Sequence, residues 1–312
     1  MPDDCKDLAE RKNNIYIKNS MVLETWKMLD SMRAHLKKGN KPRHLFVIGH
    51  SGLGKTQSLE RYVSMNPGFT IIDKDETEVD IKPVLYIEMP EPFTILEFYQ
   101  SITASLGAPT LPGRPSIGAV KRQAFCLLEV QKVEMIILDE LDNILLSRYV
   151  KADEAMNTIK HVSNSANLSI VGVGSPNIEA LLELDFSFFR RFPKKEFKAF
   201  NNCDEEFCNL LTCIEEQIRP PFYIGLGDTK TKFPKLLYLL SKGFVGILTP
   251  LIIEAYRELG VFDDNFKDIN KAKLNVDSID QAYITIVGDV DLEKFDTMLN
   301  KKQKVLLHKS YL

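Results

Sequence analysis

The sequence has 312 residues, of which 44% are hydrophobic and 27% are charged, and its formal net charge is −3 at pH 7. This length suits a core domain of about 200 residues plus a smaller one, and the composition is that of a folded protein rather than a disordered one. A net charge so close to zero excludes a global basic field, so nucleic-acid binding would need a local basic patch or several subunits acting together.

Strands and helices alternate in the first two thirds of the sequence. Apolar spacing and end signals predict, in chain order, helix 21–37, strand 44–49, a helix ending near 65, strand 84–89, helix 94–107, helix 116–130, strand 133–139, helix 153–165 and strand 168–175. The acidic stretch 66–83 is predicted to be an irregular connection. The alternation predicts a doubly wound α/β domain with a parallel sheet, whose strands end at the loops that carry the chemistry.

After about Asn201 the pattern changes to short helices, which predicts a small α-helical lid domain. We therefore divide the chain into an N-terminal helical segment (1–40), an α/β nucleotide-binding domain (41–200), the lid (201–300) and a basic tail (301–312). The tail, KKQKVLLHKSYL, either binds a partner or forms the final turn of the last helix.

Two absences in the sequence bear on its location. No apolar run approaches the ~20 residues of a membrane helix, and the first residues are acidic and polar where a signal peptide would be basic and then apolar. The five cysteines are odd in number and sparse for the length, which argues against a disulfide framework. We expect a cytoplasmic protein with no membrane partner.

The stretch FVIGHSGLGKT (46–56) places three glycines, a lysine and a hydroxyl directly after a predicted buried strand. It contains the pattern G-x-x-x-x-G-K-[ST], whose glycines let backbone N–H groups point at phosphate oxygens at the positive end of the next helix. Lys55 would reach the β- and γ-phosphates, and Thr56 would ligate Mg²⁺. An ordinary glycine-rich turn does not explain a lysine and a hydroxyl in that order. The predicted nucleotide-binding residues are Gly49, His50, Ser51, Gly52, Leu53, Gly54, Lys55, Thr56 and Gln57.

The stretch MIILDE (135–140) ends a second buried strand in two acids. Asp139 is predicted to be the carboxylate beside the metal ion, and Glu140 is predicted to polarise an attacking water. An acid-rich helix N-terminus would also place carboxylates here, but it predicts no role for Mg²⁺. Because both motifs lie at strand ends of one sheet, the sequence favours hydrolysis of ATP with Mg²⁺ as the cofactor.

Two further candidates follow along the chain. Ser175, after the strand IVGVG, either contacts the γ-phosphate or the water, or caps the next helix. Arg191, in the segment DFSFFRRFPKKEF, either reaches the nucleotide of a neighbouring subunit or is a surface arginine stacked on a phenylalanine.

These features together resemble an AAA+ ATPase, and more narrowly the TniB/TnsC family, the ATP-dependent regulators of Tn7-like DNA transposons. The resemblance extends over about residues 16–260. It is carried, in order, by HLFVIGHSGLGKT, KPVLYIEMPEPFTILEFYQSITASLG, VEMIILDELDNIL, LSIVGVGS and RRFPKKEFKAF. It implies an AAA+ P-loop NTPase core with a parallel sheet followed by a helical lid.

The resemblance also implies residue roles. Residues 49–56 would be the Walker A loop, Asp139 and Glu140 the Walker B pair, Ser175 the sensor 1 residue and Arg191, directly before Phe192, the arginine finger. In the lid, Ile247 stands where many AAA+ relatives have an arginine that contacts the γ-phosphate.

The partners follow from the resemblance as well. Proteins of this family bind ATP, polymerise on double-stranded DNA as rings or helical filaments, recruit the transposase and connect it to a target-selecting protein of the TniQ kind. Hydrolysis promotes disassembly. In such an assembly Arg114, Lys121 and Arg122 form a compact basic group that could contact DNA phosphates, although a solvated helix face would look the same.

Two other functions remain open from the sequence. One is a signalling or immunity NTPase, in which the nucleotide state holds a closed monomer and a separate effector acts. The other is a replication-type AAA+ loader or helicase, which the same core would support. Nucleotide-dependent filaments on duplex DNA would separate the transposition regulator from both.

Overall fold

The computed structural model describes residues 1–12, 15–16, 18–72 and 76–288. The chain divides into two compact units, one formed by residues 18–199 and the other by residues 1–17 with the chain from residue 200 onward. The sequence analysis treats 1–40 as one segment, whereas here residues 1–17 group with the later helices and the remainder groups with the sheet. The predicted basic tail (301–312) lies outside the described residues.

The larger unit is built on a five-stranded sheet in which every neighbouring pair is parallel. Its strands are β1 (Leu45–Ile48), β4 (Val84–Glu88), β5 (Met135–Asp139), β6 (Ser169–Gly174) and β7 (Lys194–Glu196). Their order across the sheet is β4-β5-β6-β1-β7. Helices connect the parallel strands by crossing over the sheet, which confirms the predicted α/β class with a parallel sheet.

Both faces of the central strands are buried. Phe46 and Ile136 pack into the main apolar core, while their strand neighbours Leu45 and Ile137, which point to the opposite face, are fully buried as well. Burial on both faces explains why these strands are continuous apolar runs rather than alternating ones.

The helices of this unit lie close to the positions that the sequence predicts. They are α2 (Ser20–Lys37), α3 (Lys55–Ser64), α4 (Ile95–Ser105), α5 (Ile117–Val130), α6 (Asp142–Leu146), α7 (Ala152–Ala166), α8 (Glu179–Glu183) and α9 (Phe186–Arg191). The Thr94 side chain accepts a hydrogen bond from the backbone N–H of Glu97 and so caps the start of α4.

Two strands of one small sheet contradict the sequence analysis. The stretch expected to be irregular contains β2 (Phe69–Ile72) and β3 (Glu78–Ile81), which pair antiparallel with each other. Both strands are mostly exposed, so the acidic composition that suggested a loop reflects solvation of a hairpin rather than a lack of pairing. The three-residue strand β7 was also missed, because its sequence, KKE, has no apolar run.

The parallel sheet has two chemically different edges. At the carboxyl ends of the strands lie the glycine loop after β1, the acids at the end of β5 and Ser175 after β6. At the amino ends lie His44 before β1 and Pro193 before β7. Because the strands are parallel, the residues that follow them all lie at the carboxyl edge of the sheet, and the residues that precede them all lie at the amino edge.

The smaller unit is helical. It contains α1 (Asp3–Arg11), α10 (Glu205–Ile218), α11 (Phe233–Ser241), α12 (Val245–Glu258) and α13 (Val276–Val287). Its own core includes Leu8 of α1, Leu211 of α10 and Leu248 of α12. Gln217 exchanges two hydrogen bonds with the backbone of Tyr16, which ties the N-terminal residues to α10.

None of the described helices is by itself long and apolar enough to cross a membrane. Helices α11 and α12 satisfy the length and composition requirement only when they are joined, and the chain bends by 120° between them.

Candidate functional site

The glycine loop joins β1 to α3 at the carboxyl edge of the sheet. Gly52 and Gly54 have φ of 78° and 81°, a conformation that residues with a side chain rarely adopt, and a Cβ added to Gly54 would meet no atom within 4 Å. A Cβ on Gly49 would lie 2.7 Å from the carbonyl oxygen of Phe197. The loop is therefore closely packed where it leaves the strand and open where it enters the helix.

The remaining residues of the predicted loop take different positions. Leu53 is only 4% exposed and anchors the loop in the protein, whereas Ser51 and Gln57 are exposed and His50 is half-buried. Gln57 lies in the first turn of α3. The loop thus presents backbone, rather than long side chains, to a ligand.

Lys55 is the first residue of α3, and its side chain folds back over the loop. Its Nζ donates hydrogen bonds to the carbonyl oxygens of Gly49 at 2.6 Å and His50 at 2.9 Å. Burial lowers the pKa of Lys55, and the charges of Asp139, Glu140 and Asp142 act in the opposite direction. A cation is thereby held inside the concave loop.

Asp139 is the centre of a hydrogen-bond network at the end of β5. It is 2% exposed, and its Oδ2 accepts hydrogen bonds from Thr56 Oγ1 and from the Tyr86 hydroxyl, both at 2.6 Å. Its Oδ1 accepts from the backbone N–H of Glu140 at 2.8 Å. Two residues that the sequence analysis paired for a metal, Thr56 and Asp139, are thus in direct contact.

These residues fit a magnesium nucleotide. Mg²⁺ prefers oxygen ligands and is usually held by one or two protein oxygens together with phosphates and waters. The converging oxygens of Thr56 and Asp139 supply such a donor set, and the open side of the loop at Gly54 leaves space for phosphates. Among the described residues no cluster of three or more His, Cys, Asp or Glu side chains forms an all-protein metal site.

Glu140 follows Asp139, and its backbone N–H is one of the donors to that carboxylate. Its φ of 53° turns the chain directly after β5, and the residue is exposed. Burial of the carboxyl, followed by the charges of Asp139 and Asp142, raises its pKa. A carboxylate in this position can accept a proton from a water in front of the loop.

Ser175 contacts Asp142 of α6. The backbone N–H of Ser175 donates to Asp142 Oδ2 at 2.7 Å, and its hydroxyl donates to Oδ1. The Ser175 Oγ also accepts from the N–H of Asn177 and caps the 3₁₀ turn Pro176–Ile178. The capping alternative is therefore observed, and the same contacts join the end of β6 to the segment after Glu140.

Arg191 lies at the opposite edge of the sheet, at the end of α9. Its Nη1 donates to Asn164 Oδ1 at 3.4 Å. Phe192, directly after it, stacks on His44, with ring centroids 4.7 Å apart. Burial, together with the Arg191 charge, lowers the pKa of His44 to about 4.

The three predicted DNA-binding residues lie on and before α5. Arg114 and Arg122 are exposed, and Lys121 is half-buried with its Nζ 5.9 Å from the centroid of the Phe125 ring. They are near each other in sequence, but no bound group or hydrogen bond distinguishes them from a solvated helix face.

A family model for bacterial TniB proteins matches residues 11–202, which include the glycine loop, Asp139, Glu140 and Arg191. The chain belongs to the TniB family. This confirms the resemblance on which the sequence analysis relied. No curated protein matches the sequence.

Solved structures similar to this TniB-family protein include two Orc proteins and a RuvB protein. The Orc1 protein of Aeropyrum pernix, solved in complex with DNA, is 15% identical, covers 86% of this chain and 66% of its own, and has a TM-score of 0.57. The Orc2 protein of the same organism is 14% identical with coverages of 87% and 69% and a TM-score of 0.60. RuvB of Thermotoga maritima, a Holliday junction branch migration motor, is 14% identical with coverages of 89% and 72% and a TM-score of 0.50.

At these identities the similarity establishes the fold alone. The TniB-family chain spans 66% of the Orc1 chain and 62% of a Cdc6 chain from Pyrobaculum aerophilum. The shared feature is a parallel sheet of P-loop type, followed by a helical region.

Sequence reasoning missed two residues of the site. Tyr86 contacts Asp139, and Asp142 contacts Ser175. A signal for Tyr86 existed, because a polar hydroxyl in the apolar run VLYIEM, next to the strand that carries Asp139, needs a partner when it is buried. No sequence signal marked Asp142, because acidic residues are common in the first turn of a helix.

Proposed function

We propose that this protein is an ATPase that acts as a DNA-bound regulator of transposition. The observation that carries the ATPase part is the convergence of Lys55, Thr56, Asp139 and Glu140 at the carboxyl edge of one parallel sheet. Family membership supports the transposition part.

Each residue has a distinct part in hydrolysis. The loop N–H groups and Lys55 bind the phosphates, and Thr56 and Asp139 hold Mg²⁺, which neutralises charge on the β- and γ-phosphates when it is bound. Glu140 orients a water and accepts its proton. Ser175, held by Asp142, is positioned to contact the γ-phosphate or the water.

Arg191 acts on the nucleotide of another copy. Strand β1 has four residues and spans roughly 13 Å, and Arg191 and the glycine loop lie beyond its opposite ends. An arginine at the amino edge therefore serves a loop at the carboxyl edge of a second chain. Contact between two different edges repeats head to tail, which gives a ring or a helical filament.

DNA binding and the further partners complete the proposal. A chain with net charge −3 can hold duplex DNA when a weak basic patch, such as Arg114, Lys121 and Arg122, is repeated along an assembly. The assembled protein recruits the transposase and a TniQ-like target selector, and hydrolysis releases it. We propose that the protein acts in the cytoplasm, where it meets the DNA. In this proposal Arg191 of the next copy supplies the arginine contact to the γ-phosphate.

The test is electron microscopy of the purified protein with duplex DNA and a slowly hydrolysed ATP analogue, beside an assay of phosphate release from ATP. We expect nucleotide-dependent rings or filaments on DNA, and both signals should be lost in Lys55→Ala. Particles that remain monomeric with nucleotide would favour the signalling NTPase. Assembly that requires a primer junction or a helicase would favour the replication-type loader.

A further inference from the structure

A cleft of about 1000 Å³ opens at the amino edge of the sheet, away from the glycine loop. Its walls come from α2, from residues 41–45 and from the chain around the start of β6 and β7. Its floor is apolar, formed in part by Met28, Met32 and Leu45. A cavity of this size can admit a ligand group well beyond a single ion.

The charge of this cleft is one-sided. Five cationic side chains line it, Lys27, Lys41, Arg43, Arg190 and Arg191, and no aspartate or glutamate is among the described lining residues. In a chain with more acids than bases, such segregation is not expected from composition. The side chains therefore create a local positive potential that the net charge conceals.

Of these five cations, Arg191 donates to Asn164 Oδ1, and the other four form no ion pair among the described residues. These four are Lys27, Lys41, Arg43 and Arg190. Two basic side chains nearby do form ion pairs. On the same helix α2, Arg33 and Lys37 both contact Glu134, at 2.8 and 3.0 Å.

One side chain of the lining is neutral because burial, and after it the Arg191 charge, lowers the pKa of His44 to about 4. His44, on the cleft floor, is buried and accepts a hydrogen bond from the Ile170 N–H on Nδ1. A second positive charge beside Arg191 would be unfavourable there, and the ring is kept neutral. The positive charge of the cleft therefore comes from its lysines and arginines and not from His44.

We propose that this cleft is a second phosphate-binding site, separate from the glycine loop, in which Lys27, Lys41 and Arg43 contact phosphate oxygens. Lysine and arginine are the usual partners of phosphate groups, and three to five of them around one cavity suit a chain of phosphates better than a carboxylate. Two sources share this chemistry, the backbone of DNA and the polyphosphate of a nucleotide. The DNA source rests on the proposed function, whereas the polyphosphate source does not.

The first arm of the test measures tripolyphosphate binding by calorimetry. The background is Lys55→Ala, which weakens the glycine loop, and the variant adds Lys27→Ala, Lys41→Ala and Arg43→Ala. We expect the added changes to weaken binding at least tenfold. A control with the same loss of charge, Lys230→Ala, Lys232→Ala and Lys235→Ala, uses exposed lysines of the helical unit and should stay within twofold. Equal binding by variant and control would overturn the proposal.

The second arm distinguishes the two sources. Binding of a labelled duplex is followed by fluorescence anisotropy from 50 to 200 mM salt, with otherwise wild-type protein and the two triple variants. A salt slope reduced by about 2 to 3 in the cleft variant alone identifies the DNA backbone, since each phosphate contact contributes about 0.9. Loss of tripolyphosphate binding with an unchanged slope identifies a nucleotide. Failure of the wild type to bind duplex DNA would count against the proposed function and leave the first arm intact.

Discussion

The two edges of one sheet carry opposite kinds of chemistry. At the carboxyl edge the charged groups hold one another. Asp139 accepts three hydrogen bonds, Asp142 accepts two from Ser175, and Lys55 bonds to the loop carbonyls. At the amino edge no aspartate or glutamate is among the described residues that line the cleft.

The difference shows which edge is complete on its own. The carboxyl edge is organised by hydrogen bonds within the chain, as a site needs to be if binding is to cost little ordering of its side chains. The amino edge instead gathers cations around a cleft that has no aspartate or glutamate among its described lining residues, an arrangement that favours an anionic ligand.

The largest expected effect comes from two variants, one with a defective amino edge and one with a defective carboxyl edge, measured alone and then mixed. Arg191→Ala should lower ATP turnover by roughly 10³-fold, because an arginine finger contributes that much or more to phosphoryl transfer. Lys55→Ala should abolish turnover by loss of the phosphate contact. Mixed one to one, the two inactive proteins should recover up to about a quarter of wild-type activity. Half of the chains in the mixture have an intact glycine loop, and about half of those loops would face an intact Arg191.

The control for this mixture is each variant diluted with buffer, measured by phosphate release at equal total protein. Arg190→Ala, one residue away and exposed, is the matched neighbour and should lose less than tenfold. A mixture no more active than its components would show that the amino edge does not serve another copy's loop.

The next effect tests the carboxyl edge alone. Glu140→Gln should reduce kcat by about 10²- to 10³-fold, because the amide cannot accept a proton from water. Nucleotide affinity should change little, since Lys55, Thr56 and Asp139 remain. The measurements are turnover and equilibrium binding of a fluorescent ATP analogue. Loss of binding in parallel with turnover would mean that Glu140 holds the nucleotide rather than the water.

The same contrast explains how much the sequence could predict. The residues of the carboxyl edge follow apolar runs in short motifs, so the glycine loop, Asp139 and Glu140 could be located and their strands placed in a parallel sheet. The cleft draws Lys27, Arg43 and Arg190 from segments far apart in sequence. No local motif marks them, because strand pairing brings the segments of Arg43 and Arg190 to one edge and helix α2 carries Lys27 to the same cleft.

A third prediction concerns stability at the amino edge. The pKa of His44 is about 4 in the folded protein and 6.5 in an unfolded chain, so between these values the unfolded state binds the extra proton. The stabilisation is complete above pH 6.5 and is lost as the pH falls toward 4, by up to about 3 kcal/mol in the free energy of unfolding. His44→Asn retains an acceptor for Ile170 N–H and should remove this part of the pH dependence.

Urea unfolding at pH 7.5, 6, 5 and 4.5 gives the measurement. The difference between wild type and His44→Asn isolates His44 from the carboxylates that titrate in the same range. His161→Asn, a change of the same kind at an exposed histidine of α7, should leave the pH dependence as it is. A wild-type curve parallel to that of His44→Asn would contradict the buried neutral imidazole.

The smallest expected effect concerns the hydroxyl of Tyr86, which the sequence analysis missed. Tyr86 and Thr56 donate to the same oxygen of Asp139, and a partner of a metal-binding carboxylate fixes its orientation. Tyr86→Phe removes one hydrogen bond of about 1 kcal/mol, so the Mg²⁺ concentration for half-maximal nucleotide binding should rise about fivefold. Binding of the nucleotide without Mg²⁺ should not change, because the phenol does not contact the loop. Tyr149→Phe, at a tyrosine that is 72% exposed, is the matched control. An unchanged Mg²⁺ requirement would mean that Thr56 and the Glu140 N–H orient Asp139 without help, and the carboxyl edge would then be organised by its two motifs alone.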